Sequence, residues 1–82
     1  MILVDVFVPA IDIVYDFSLD ENVKISLIVE ELIEMVERRE QTSFAGDRTK
    51  VVLINKGTQE VLPKESTLKE CSVATGSNLL LI

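Results

Sequence analysis

The sequence predicts an α+β fold in which five strands form one mixed sheet packed on a single α-helix. Three observations predict it. Apolar residues alternate with period two over residues 2–8 and again over 11–17. A helical period replaces the alternation from Asn22 to about Arg39. Three short runs rich in strand formers, 51–54, 60–62 and 78–82, then follow between turn formers. With 82 residues, 48% of them hydrophobic, the chain can bury one core and is too apolar for a disordered segment, so residues 1–82 are read as a single domain.

The first run, Ile2 to Val8, puts Ile2, Val4, Val6 and Val8 on one face and Leu3, Asp5 and Phe7 on the other. Pro9-Ala10 presets a reversal into Ile11–Phe17, which closes an opening hairpin. On a helical projection Ile25, Ile28, Val29, Leu32, Ile33, Met35 and Val36 fall within one arc, while Glu30, Glu31, Glu34, Glu37 and Arg38 lie opposite. Ser18, Asp20 and Asn22 are candidate caps for that helix, with Asp20 or Asn22 preferred. Leu27 is the one apolar residue among the charges, read as an ordinary exposed leucine.

Residues 41–48 are rich in turn formers and form the exit from the helix, with Phe44 expected to anchor onto the core. Val51–Ile54 is apolar on both faces. Asn55-Lys56-Gly57 turns the chain into Glu60–Leu62, and Pro63 closes that strand. Ser66–Glu70 can make one helical turn with Leu68 pointing inward; Thr75-Gly76-Ser77 then turns into the last strand, Asn78–Ile82. The order is ββαββ, a helical turn, then β.

Composition removes most chemistry. There is one cysteine and no histidine, which excludes a disulfide framework, a Cys/His zinc site and any histidine-based triad. Eight bases against fourteen acids give a net charge of −6, so nucleic acid is not an expected partner, and no apolar stretch is long enough for direct membrane insertion. Residues 1–37 hold nine acids and one base, an asymmetry suited to steering a basic partner and equally to keeping a helix face solvated. Glu30, Glu31 and Glu34 lack the polar cavity a cation would need, and Cys71 has no neighbouring base to lower its pKa. The expected catalytic set, metal set and cofactor set are all empty. The start of the chain carries no secretion signal, and a cytoplasmic location is expected.

The element order is that of the β-grasp plan, with strand order 2-1-5-3-4. Glu21-Asn22-Val23-Lys24 opens the helix as in ubiquitin, and Ser66–Leu79 resembles the ubiquitin-like tail pattern. Leu68, Glu70, Cys71, Val73, Gly76 and Leu79 match the ending of the YukD/EsaB family, and the chain resembles those small ubiquitin-like proteins of type VII secretion loci across nearly its whole length. The resemblance implies a non-conjugated interaction module, a cytosolic accessory or regulatory component of a WXG-type secretion system. Conjugated relatives and sulfur carriers carry a flexible Gly-Gly tail, and here the sequence runs to Leu81-Ile82 within the strand pattern. The alternative is a modifier or carrier whose tail this chain lacks. No enzymatic activity is expected.

In that topology the helix covers one sheet face. Leu3, Phe7, Leu80 and Ile82 then point away from it, joined by one pair from Val51/Leu53 or Val52/Ile54. These four residues are the predicted protein-interaction site, to be covered by a component of the secretion machinery or by a second copy of the chain.

Overall fold

The computed structural model describes residues 1–44 and 46–82. Ala45, part of the loop read from sequence at 41–48, lies outside the described residues. Strands β1 (Ile2–Val8), β2 (Ile13–Leu19), β3 (Leu53–Asn55), β4 (Glu60–Val61) and β5 (Asn78–Leu81) form one sheet of order β2-β1-β5-β3-β4, crossed on one face by helix α1 (Ile25–Glu40). Only β1 and β5 are parallel; the other pairs are antiparallel. This is the ubiquitin-like β-grasp arrangement expected from the sequence. Among the described residues no helix is long and apolar enough to cross a membrane.

The core follows the two periods. Val4 and Val6 of β1, Phe17 of β2, Leu53 of β3 and Leu79 and Leu81 of β5 meet Ile25, Ile28, Val29, Leu32 and Ile33 of α1, with Leu62, Leu68 and Val73 closing the ends. No buried polar side chain interrupts this cluster among the described residues. Met35 and Val36, placed in the apolar arc by periodicity, are only partly buried and pack against the margin of the core near the C-terminal end of the helix. There Arg39 sits 5.3 Å from the Tyr15 ring centre and 5.5 Å from that of Phe17, covering the edge of the core with a cation over two aromatic faces.

Three local readings are corrected. The first turn is longer than Pro9-Ala10: Asp12 takes a left-handed conformation at φ 54°, so β2 begins at Ile13 instead of Ile11 and its alternation runs on to Leu19. The helix begins at Ile25, and neither Asp20 nor Asn22 caps it. Asp20 instead accepts from the Asn22 amide at 2.9 Å in a turn ahead of the helix, and the Lys24 side chain at the cap position pairs with Glu65 and makes no capping bond. The first helical amides are satisfied at long range, Ile25 donating to the Ser66 carbonyl at 2.8 Å and Ser26 to that of Lys64 at 3.0 Å. Phe44, finally, is 41% exposed, not seated in the core. Its amide donates to Glu37, which also holds the Arg48 guanidinium, so this loop is fastened to the helix by polar contacts.

The segment between β4 and β5 fixes both the helix start and the last strand. Thr67 and Glu70 form a reciprocal capping box, each side chain accepting from the other's amide at 3.1 and 2.9 Å, and this turn drives Leu68 into the core at 0% exposure. Gly76, at φ +94°, donates to the Leu3 carbonyl and turns the chain into β5 between β1 and β3.

Candidate interaction surface

The face of the sheet turned away from α1 is set by cross-strand register. In the β1–β2 hairpin Phe7 stands opposite Val14; in the parallel pair Phe7 lies beside Leu80; across β5 and β3 Leu80 faces Ile54; and Ile54 faces Val61 on the edge strand. Directly opposed residues share a face. Val14, Phe7, Leu80, Ile54 and Val61 therefore form a single apolar row that crosses all five strands. Ile82 and Val52, which exchange two backbone hydrogen bonds of 3.1 and 2.7 Å, extend the row by one step at the β5–β3 end.

Of the four residues predicted from sequence, the structure brings Phe7, Leu80 and Ile82 together in this patch. Leu3 shares the face but stands apart: along β1 it is separated from Phe7 by Asp5, and its neighbour across the hairpin is Ser18. Val52 and Ile54 are the outward pair, since Val51 and Leu53 are buried. Val14 and Val61 were missed by reading strands singly. Either could have been found by pairing each hairpin in register, because a residue opposite an outward one must itself be outward. Val14 at 59%, Val61 at 56% and Ile82 at 51% remain more than half exposed even though they are large and apolar.

Beside the apolar row runs a polar one. Asp16, Asp5, Asn78 and Lys56 succeed one another across β2, β1, β5 and the end of β3, the Lys56 amide donating to the Asn78 carbonyl at 2.9 Å. At one end two carboxylates face each other across the ladder. The hydrogen bond to Asp16 holds the Asp5 carboxyl above the usual range for aspartate, with loss of water and the Asp16 charge adding to the effect. At the other end Lys56 reaches back over the row, its Nζ 5.4 Å from the centre of the Phe7 ring.

Elsewhere the candidates for chemistry are weak. Cys71 is a free, partly buried thiol. Burial raises its pKa above the ordinary thiol value, and Glu70 and Glu60 raise it further, the reverse of what a nucleophilic cysteine needs. No group of acids and thiols among the described residues is arranged to hold a metal ion. An apolar groove of about 520 Å³ lies between the C-terminal part of α1, the β1–β2 turn and Phe44, lined in part by Val8, Ile11, Ile33 and Leu81.

A β-grasp sheet with one face closed by its helix and the other left apolar and open defines a ubiquitin-like interaction module. Residues 2–81 match the family described as "WXG100 protein secretion system (Wss), protein YukD", and the chain belongs to that family. The ubiquitin-like domain of EccD5 from Mycobacterium xenopi is similar at a TM-score of 0.79 and 21% identity, covering 99% of this chain and 91% of that one. A subunit in the "MycP5-free ESX-5 inner membrane complex, State II" is similar at TM-score 0.82 and 21% identity, over 99% of this chain and 20% of the larger one. The ubiquitin of Caldiarchaeum subterraneum is similar at TM-score 0.72 and 17% identity, over 99% and 90% of the two chains. At these identities the structures share the fold. No curated protein sequence matches the chain.

Proposed function

We propose that this protein is a non-conjugated, cytoplasmic accessory or regulatory component of a type VII secretion system, and that it acts by docking a protein of that machinery on the outward sheet face. The observation that carries the reading is the apolar row Val14–Phe7–Leu80–Ile54–Val61, which no helix or strand among the described residues covers. A sheet face of this kind risks edge and face association unless something covers it. Membership of the secretion family supports a partner from that machinery, as does the similarity to a domain within an ESX-5 inner membrane complex. Burial, with Glu70 and Glu60 nearby, raises the pKa of the Cys71 thiol, which supports a role without covalent chemistry at sulfur.

The test is recovery of a tagged chain from its own cells with mass-spectrometric identification of what accompanies it. A component of the secretion machinery is expected with the wild type and is lost with Phe7→Ser combined with Leu80→Ser. Retention of that component by the double variant would show that the sheet face is not the docking surface. Under reducing, denaturing conditions the chain should run only as the free species, whereas a ladder of heavier adducts would make it a modifier.

A further inference from the structure

The open sheet face carries a feature that folding alone does not reward. Asp5 and Asp16 are a directly opposed cross-strand pair in the middle of the β1–β2 hairpin. Like charges in that position destabilise a sheet. A residue such as threonine at either site would satisfy the same outward pattern at lower cost. No ion pair among the described residues involves either carboxylate, and the next residue along the row, Asn78, is neutral. The nearest base of that row is Lys56, two strands away and drawn over the Phe7 ring.

We infer that the protein seated on this face presents an arginine or lysine that lies between Asp5 and Asp16, immediately beside the apolar side chains that cover Val14, Phe7 and Leu80. This rests on the docking surface proposed above and adds the chemistry of what it takes. The charge arrangement is complementary to one class of partner only: apolar side chains over one row and a cation over the next. A single base placed between the two carboxylates relieves their repulsion and meets two acceptors at once, and an arginine fork suits that geometry. The interaction lies next to apolar contacts that exclude water, which strengthens it relative to an isolated surface pair. Lys56 at the far end of the same row opposes a second cation there, so the polar row also fixes the direction in which the partner lies.

A second copy of the chain meets this requirement less well. Each copy carries a net charge of −6, and the lysine of this polar row, Lys56, is already held over its own Phe7.

The experiment selects peptides from a displayed random library against the full chain, then measures their binding to three forms: wild type, Asp5→Asn with Asp16→Asn, and Phe7→Ser with Leu80→Ser. The selected peptides should carry a base adjoining apolar residues. Their binding should fall about tenfold with the double asparagine variant, the loss of one partly desolvated charge interaction. That same variant should melt at or above the wild-type temperature, which separates weaker binding from a damaged fold. Peptides that lose binding with the serine variant but carry no base, or bind the asparagine variant equally well, would overturn this inference and leave the docking face standing. Peptides indifferent to the serine variant, or no selectable peptide at all, would overturn the docking face and this inference together.

Discussion

The two faces of the sheet are built from the same strands with the same alternation, yet they meet different fates. Toward the helix, Val4, Val6, Leu53, Leu79 and Leu81 are buried among the side chains of α1. Away from it, Val14, Phe7, Leu80, Ile54 and Val61 make an equally apolar row that, among the described residues, no strand or helix covers, with Val14 and Val61 more than half exposed and the Lys56 ammonium over Phe7. The inner face is explained by folding. The outer face is not, because polar residues at those positions would keep the strand pattern and lower the risk of association. Apolar character that folding does not use is therefore the signal of a surface kept for something else.

Substitution costs most on the inner face. Leu32, fully buried under the sheet, should cost about 2–5 kcal/mol when replaced by alanine, from lost transfer energy and the cavity left behind. Urea melts check this, and a loss below ~1 kcal/mol would mean that the helix does not seat as described. Next in size is Thr67→Ala, expected to cost about 1 kcal/mol because it opens the capping box that holds Leu68 inward. On the outer face, where Phe7 and Leu80 are partly buried by their cross-strand neighbours, Phe7→Ser with Leu80→Ser should leave the domain folded and cost no more than Leu32→Ala. Unfolding of that variant would place both residues in the core and shift the register by one.

The smallest effects are in the pH dependence, and the two carboxylates should differ in sign. Glu37 has a lowered pKa from the Phe44 amide and the Arg48 guanidinium, so its contribution is present at neutral pH and lost as pH falls through the lowered value. Asp5 has a raised pKa, so its penalty is present at neutral pH and is relieved as pH falls through the raised value. Urea melts across acidic pH should accordingly show Glu37→Gln less stable than wild type and Asp5→Asn more stable at neutral pH. Both differences should close on acidification. Equal signs for the two variants at neutral pH would contradict the geometry of the loop or of the hairpin.

Much of this fold is legible in the sequence because local period and global packing agree. Ile2–Val8 alternates cleanly and is a strand over those very residues; Leu68 and Val73 sit in the tail pattern and are buried where the β-grasp plan needs them. What was not legible depends on long-range contacts. The start of α1 is fixed by the carbonyls of Ser66 and Lys64, far away in sequence, so the local capping signal at Asp20 and Asn22 misplaced it. Phe44 looks like an anchor as an isolated aromatic in a polar loop, but Glu37 fastens that loop through backbone and charge. The candidate site was partly legible for the same reason: Phe7, Leu80 and Ile82 follow from alternation within strands, whereas Val14 and Val61 follow only from the pairing between them.

The outward face, and not the acidic helix face, is expected to meet the partner. A photo-crosslinking residue placed at Val14, on the exposed end of the apolar row, and separately at Leu27, exposed among the helix acids, compares the two surfaces in living cells. A crosslink from Val14 to a protein of the secretion machinery, with none from Leu27, is the expected result. A crosslink from Leu27 alone, or from neither position, would contradict it.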